Sequence, residues 1–161
     1  EAPSLVPAPG VGDLEDLAGT VRAAGIPVSL AVTGEVAALP PAASLTAYRI
    51  VQEALTNVVK HAPGARATVR VQAGRDGVLI TVDNDHGTGG PAGPRTGDGA
   101  RHGLVGMNER AAAFGGSLDA GPVAGGGFQV TAFLPLPDQA RADQAKAGQA
   151  QAGQAQVGRV A

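Results

Sequence analysis

Three polar residues recur at helical spacing in the stretch 48–62, and residues of these types can bind a metal ion together with a phosphate. Glu53, Asn57 and Lys60 lie at positions i, i+4 and i+7, so they share one side of a helix. Mg²⁺ prefers a few oxygen ligands, water and phosphate oxygens. A carboxylate, an amide oxygen and an ammonium group in one row therefore suit a hydrated Mg²⁺ and a phosphate. The alternative is that the row is the solvated face of an ordinary amphipathic helix.

The opposite side of this helix is apolar. Its residues are Leu45, Tyr48, Val51, Leu55, Val58 and Val59. A stripe of this width predicts a helix that packs on a sheet. Ser44 is placed to cap the start of the helix, which we expect to end near His61.

A second candidate region is rich in glycine. Residues 86–102 contain six Gly and two Pro but no large apolar side chain, so we predict a mobile loop. The stretch lacks the P-loop spacing G-x-x-x-x-G-K-[ST] and the dinucleotide spacing G-x-G-x-x-G. The hydrolase motif G-x-S-x-G and the kinase motifs H-R-D and D-F-G do not occur either, which excludes these classes of enzyme.

The borders of this stretch suggest contacts to a nucleotide. Gly103 immediately precedes a helical pattern, and free N–H groups at a helix start favour an anion such as a nucleotide phosphate. Asn84 or Asp85, next to Gly87 at the end of a predicted strand, can hydrogen-bond the amino edge of a purine. The alternative is a flexible Gly/Pro connector without a chemical role.

The elements that must position these residues follow from hydrophobic periodicity. The predicted helices cover 13–24, 44–61 and 104–114, and the predicted strands cover 27–33, 68–73, 78–82, 117–120 and 128–134. The strands occur in pairs between helices, without regular β-α-β alternation. This order predicts a two-layer α/β sandwich with a mixed sheet and helices on one face.

Composition excludes several functions. The 161 residues have a formal net charge of −2 and no basic stripe, so nucleic-acid binding has no electrostatic support. The absence of Cys excludes disulfides, thiolate catalysis and Cys-ligated zinc, and His61, His86 and His102 lack metal-site spacing. No apolar run reaches the ~20 residues of a membrane helix. Because the chain starts at Glu1, we expect it to be part of a longer protein.

Four motifs in combination resemble one family. They are Gln52-Glu-Ala-Leu-Thr-Asn57 with Lys60-His-Ala62, then Asp85-x-Gly87-x-Gly89, then Gly103-Leu-Val-Gly-Met107, and Gly125-Gly-Gly-Phe128 before Leu134-Pro-Leu136. The chain resembles the ATP-binding catalytic domain of bacterial two-component sensor histidine kinases, in the subfamily paired with LuxR-type, helix-turn-helix response regulators. The wider group is the GHKL ATPases of the Bergerat fold, which include Hsp90-type chaperones, gyrase and MutL.

The resemblance implies roles for the central helix, which matches the N box. Asn57 would be the Mg²⁺ ligand, and Glu53 would be the polarising carboxylate near the γ-phosphate of ATP. Lys60 and His61 would lie at the phosphate-facing end of the box.

The resemblance also implies roles for the glycine-rich segments. Asp85, Gly87 and Gly89 match the G1 box, in which the Asp receives the adenine amino group. Counting from Val82 instead places Asn84 at the position of that Asp. The implied nucleotide-binding residues around the G2 box, at the foot of an ATP lid, are Arg101, His102, Gly103, Leu104 and Gly106.

The function implied by the resemblance is transfer of the γ-phosphate of ATP to a His on an upstream dimerisation domain, for relay to an Asp of a response regulator. Such catalysis is positioning plus charge neutralisation. The implied partners are that domain, in a homodimer, and the response regulator. Two alternatives remain: a GHKL serine kinase of the anti-sigma type, or a degenerate nucleotide-binding or scaffold module.

The predicted organisation has three parts. Residues 1–9 would be a lead-in from the dimerisation domain, and residues 10–137 would form the ATP-binding catalytic domain. Residues 138–161 are rich in Gln, Ala and Gly, and a tail with so little apolar bulk is predicted to be disordered. The implied location is the cytoplasmic part of a membrane-anchored protein.

Overall fold

The fold comprises three helices and five strands in the part of the chain that a computed structural model describes, residues 6–89 and 98–136. The helices are α1 (Leu14–Ala23), α2 (Pro41–His61) and α3 (Asp98–Ala113), and the strands are β1 (Val28–Gly34), β2 (Ala67–Ala73), β3 (Gly77–Asn84), β4 (Ser117–Pro122) and β5 (Phe128–Pro135). Short 3₁₀ turns occupy Val11–Asp13, Val36–Ala38 and Gly87–Gly89. The predicted tail, the first five residues of the predicted lead-in and the centre of the predicted loop lie outside the described residues.

The five strands form one mixed sheet in the order β1-β2-β3-β5-β4. Strands β1 and β2 are parallel, and the other neighbours are antiparallel. Buried and accessible residues alternate along the central strands. In β5, for example, Val130 and Ala132 are buried whereas Phe133 is 38% exposed. The helices share one core with the buried face of the sheet, which confirms the predicted two-layer sandwich.

The central helix α2 packs on the sheet through a face that differs from the predicted one. Ala47, Ile50, Ala54 and Leu55 are buried, whereas Val59 is 38% exposed. The prediction that Val59 faces the sheet is therefore wrong. Val51, Leu55 and Val58 are buried as predicted, so the contact is displaced around the helix toward Ile50 and the Ala residues rather than lying on the opposite side.

Two predicted helix starts are also wrong. Helix α2 begins at Pro41. Pro lacks an N–H, and at the first position of a helix an N–H would have no partner within the helix, so nothing is lost there. Ser44 therefore does not cap the helix, and its Oγ instead accepts a hydrogen bond from the Val11 N–H at 2.9 Å. Helix α3 begins at Asp98 rather than near residue 104. The residues before 104 show no helical periodicity, but Ala100 is buried and anchors the first turn.

A pair of adjacent valines tests this orientation of α2. Val58 is 2% exposed and Val59 is 38% exposed. We expect Val58→Ala to lower the free energy of unfolding by about 2 kcal/mol, because a buried Val loses two methyl groups and leaves a cavity. Val59→Ala is the matched control and should change it by less than about 0.5 kcal/mol. Urea denaturation measures both values, and equal losses in the two variants would contradict the described orientation.

Candidate functional site

The polar row of α2 is not a uniformly solvated face. Asn57 is only 5% exposed, which makes it one of two buried polar residues among those that the structure describes. Glu53, one turn earlier, is half-buried, and Lys60 at the end of the helix is exposed. Burial of an amide is unfavourable unless its polar atoms are satisfied, so a buried Asn on the edge of a helix indicates more than a solvated surface.

Helix α3 meets this row at Gly103. A Cβ atom built on Gly103 would overlap the Glu53 carboxylate oxygen Oε1 and would lie 3.4 Å from Asn57 Nδ2. The absence of a side chain at residue 103 therefore leaves the space that the Glu53 carboxylate occupies. The structure thus brings together three predicted site residues that are far apart in the sequence.

The predicted anion site at the N–H of Gly103 is wrong. Only the first four N–H groups of a helix lack an intrahelical partner, and α3 begins at Asp98. Gly103 lies in the second turn of the helix. Its role in this structure is the close approach to α2, and the N–H groups that lack a partner within the helix belong to residues 98–101.

Asp85 follows β3 directly and is held by backbone groups. Its Oδ1 accepts hydrogen bonds from the N–H groups of Arg66 at 2.9 Å and Gly87 at 3.1 Å. Its own N–H donates to the Arg66 carbonyl at 3.1 Å. Within the described parts of the chain, Oδ2 accepts no hydrogen bond. Asp85 is exposed, so this second oxygen can accept a hydrogen bond from a ligand.

Asn84 has a different environment from Asp85. It is 6% exposed, and its Nδ2 donates a hydrogen bond to the Asp85 carbonyl at 2.7 Å. The Asn84 amide therefore lies beneath the loop and supports its backbone. Of the two residues predicted to hydrogen-bond a purine, the exposed Asp85 is favoured by this geometry.

The loop that carries Asp85 is packed on the turn after α2, a contact that sequence analysis did not predict. Gly87 has φ +62°, and a Cβ atom there would overlap the Pro63 carbonyl oxygen. The next residue, Thr88, donates both its N–H and its Oγ1–H to that oxygen, each at 3.1 Å. Pro63 and Thr88 are 25 residues apart in the sequence, and no local pattern relates them.

The remaining predicted nucleotide-binding residues lie at the end of α2, in the 3₁₀ turn and on α3. They are Lys60, His61, Gly89, Arg101, His102, Leu104 and Gly106. Lys60 and His61 are exposed, as are Arg101 and His102, so a charged ligand can reach these side chains from solvent. A Cβ atom on Gly106 would lie 3.2 Å from a side chain of its own helix, so Gly106 does not repeat the contact that Gly103 makes with α2.

A cavity of about 420 Å³ lies elsewhere in the structure. Its lining includes Leu39 and Pro40 before α2, Ala73 at the end of β2, and Leu136. These residues are at the opposite end of α2 from Asn57 and of β2 from Asp85, so the cavity is separate from the site.

A matched pair of glycines on α3 tests the close approach at Gly103. Gly→Ala inside a helix ordinarily stabilises a protein by roughly 0.5–1 kcal/mol. We expect Gly99→Ala to gain stability, because no atom of residues 6–89 and 98–136 lies within 4 Å of the added Cβ. Gly103→Ala should lack this gain and should shift the Asn57 side-chain amide signals in a ¹⁵N–¹H NMR spectrum. Unshifted Asn57 signals together with a normal gain in stability would refute the contact.

Comparisons with known proteins show the family of the chain. Residues 42–138, more than half of the chain, match the family model of histidine kinase-, DNA gyrase B-, and HSP90-like ATPases. The chain is 37% identical over 113 residues to the sensor histidine kinase YxjM of Bacillus subtilis, covering 70% of this chain and 26% of that protein. It is 35% identical over 81 residues to the histidine-protein kinase/phosphatase UhpB of Salmonella typhimurium, covering 50% and 15% respectively.

The fold is also similar to a solved structure. The histidine kinase domain of the blue-light activated kinase EL346 of Erythrobacter litoralis aligns with a TM-score of 0.56 at 23% identity, covering 78% of this chain and 64% of that one. The chain spans about a quarter or less of the length of the curated relatives named above. The chain belongs to the histidine kinase-, DNA gyrase B- and HSP90-like ATPase family.

Proposed function

We propose that the chain binds ATP with Mg²⁺ beside α2, and that it transfers the γ-phosphate to a His on a separate dimerisation domain of the same protein. The observation that carries the proposal is the contact of Gly103 with both Glu53 and Asn57. It assembles a carboxylate, an amide and a side-chain-free segment of helix at one place. The Asp85 loop is attached to the turn after the same helix.

The residues around Asn57 suit Mg²⁺. Asn57 offers one amide oxygen, and Mg²⁺ ordinarily takes one or two protein oxygens while water and phosphate oxygens complete its shell. The missing side chain at Gly103 lets α3 come close to both polar groups of α2. Asn57 would hold the ion, whose contribution would be to neutralise negative charge on the phosphates. Glu53, half-buried one turn away, is the carboxylate that polarises the attacking group near the γ-phosphate.

Asp85 is the proposed receptor for the adenine base. An adenine amino group donates hydrogen bonds, and Asp85 is an exposed residue whose Oδ2 accepts no hydrogen bond from the described residues. A hydrogen bond to an ionised carboxylate is stronger than one to a neutral amide. This difference, together with the burial of Asn84, supports Asp85 as the base-binding residue.

The exposed basic side chains at the end of α2 and near the start of α3 are proposed to face the phosphates. Lys60 and His61 end α2, and Arg101 and His102 lie within the first turns of α3. A phosphate between these ends would also meet the free N–H groups of α3, which favour anions. This placement is supported by exposure of the four side chains.

The partners proposed for the chain follow from its relatives. YxjM and UhpB are named as histidine kinases, and the chain spans only a part of each. We therefore infer a phosphoacceptor His on a dimerisation domain, a homodimer, and a response regulator of the LuxR type that takes the phosphate on Asp.

Anchoring of the whole protein in a membrane belongs to this proposal. Within the described residues, no helix has the length and apolar character needed to span a bilayer. The names of the relatives favour this function over an anti-sigma serine kinase.

Replacement of Asn57 tests the proposal. We expect Asn57→Ala to weaken ATP binding in the presence of Mg²⁺ by on the order of 10- to 100-fold, the usual effect of altering a metal site. In EDTA the variant and the unaltered chain should bind ATP equally. Isothermal titration calorimetry measures both affinities. Thr56→Ala, on the next residue of the same helix, is the matched control and should bind ATP like the unaltered chain.

Two results would contradict the proposal. An unchanged Mg²⁺-dependent affinity in Asn57→Ala would remove Asn57 from the metal site. Failure of the unaltered chain to bind millimolar ATP would favour the alternative of a scaffold module.

A further inference from the structure

The loop of residues 85–88 and the turn of residues 63–66 are joined by a set of hydrogen bonds. Asp85 and Arg66 exchange two of them, from Asp85 N–H to the Arg66 carbonyl at 3.1 Å and from Arg66 N–H to Asp85 Oδ1 at 2.9 Å. Thr88 contributes two more, from N–H and Oγ1–H to the Pro63 carbonyl, each at 3.1 Å. The loop is thus held at both ends, by Asp85 on one side and by Thr88 on the other.

Two glycines make this close packing possible. Gly64 has φ +76°, and a Cβ atom on it would lie 2.8 Å from Thr88 Cγ2. Gly87 has φ +62°, and a Cβ atom on it would lie 2.7 Å from the Ala65 nitrogen. At these distances a side chain at either position would push the loop away from the turn.

The turn also continues α2 without a break. Ala62, the first residue after the helix, is 6% exposed and donates its N–H to the Val58 carbonyl at 2.9 Å. Ala65 then donates to the Ala62 carbonyl at 3.0 Å. A continuous chain of hydrogen bonds therefore links the helix that carries Asn57 to the loop that carries Asp85.

We propose that Thr88 is a positioning residue for the base: its hydroxyl fixes the loop on the Pro63 carbonyl and thereby directs Asp85 Oδ2 toward an adenine amino group. This inference rests on the proposed function. Adenine presents an amino donor where guanine presents a carbonyl oxygen, so a well-directed carboxylate attracts the first base and repels the second. A loop that is less firmly held discriminates less between ATP and GTP. Thr88 therefore acts on selectivity through Asp85, without touching the nucleotide.

The test compares ATP and GTP affinities of the 161-residue chain in Mg²⁺ buffer. Thr88→Val keeps the shape of the side chain and removes the hydroxyl. We expect it to weaken ATP binding about three- to tenfold, the effect of losing one hydrogen bond, and to change GTP binding less than about twofold. Thr88→Ser keeps the hydroxyl and should restore ATP affinity to within about twofold of the unaltered chain.

Two further variants serve as references for the change in the ratio of ATP to GTP affinity. Asp85→Asn should lower the ATP-to-GTP ratio at least as far as Thr88→Val, because it replaces the carboxylate itself. Thr20→Val removes a comparable bond, from Thr20 Oγ1 to the Asp16 carbonyl at 3.2 Å in α1, far along the chain from the site. It should leave the ratio unchanged, which separates selectivity from a general effect of replacing Thr by Val.

The outcomes distinguish the inference from the proposed function. If the unaltered chain binds ATP with Mg²⁺ but Thr88→Val leaves the ATP-to-GTP ratio unchanged, the positioning role of Thr88 is overturned and the proposed function stands. Equal weakening of ATP and GTP, or failure of Thr88→Ser to restore ATP binding, also overturns it. If the unaltered chain binds neither nucleotide, the proposed function falls and the inference falls with it.

Discussion

The site depends on how closely α3 can approach α2. At Gly103, α3 contributes no side chain of its own, and the Glu53 carboxylate of α2 lies in this space beside the Asn57 amide. Both helices are anchored in the core, α2 by residues such as Ile50 and α3 by Met107, each 0% exposed. Because packed interiors deform little, we expect a larger residue at position 103 to displace the Glu53 carboxylate rather than either helix. The positions of the Glu53 and Asn57 side chains therefore depend on how α2 and α3 pack in the core as well as on α2 itself.

Helix α2 is the common support of the whole site. Along its length it carries the polar row, and the turn that follows it holds the Asp85 loop through the carbonyls of Pro63 and Arg66. The proposed metal ligand and the proposed base-binding residue are thus connected by backbone hydrogen bonds rather than by long flexible side chains. Such an arrangement favours a nucleotide whose base and phosphates are bound at a fixed separation, which lowers the ordering required on binding.

Most of the fold could be predicted from patterns inside single elements, and most of what was missed lies between elements. Periodicity within each element predicted the helices and strands, and their order predicted a mixed two-layer sandwich, which is confirmed. The start of α3 was missed because its first turn is anchored by the small Ala100 alone. At the site, the spacing on α2 predicted the row, and the resemblance to a family grouped it with Asp85 and Gly103. The contact of Thr88 with Pro63 joins residues that are remote in sequence, and no local pattern encodes it.

The most direct test of the account is a crystal structure of the chain with Mg²⁺ and a non-hydrolysable ATP analogue. The account predicts that the Asn57 side-chain oxygen coordinates the ion and that the adenine amino group lies within hydrogen-bond distance of Asp85 Oδ2. A nucleotide bound elsewhere, such as in the cavity lined by Leu39 and Leu136, would contradict it, and so would a bound ion from which the Asn57 amide points away.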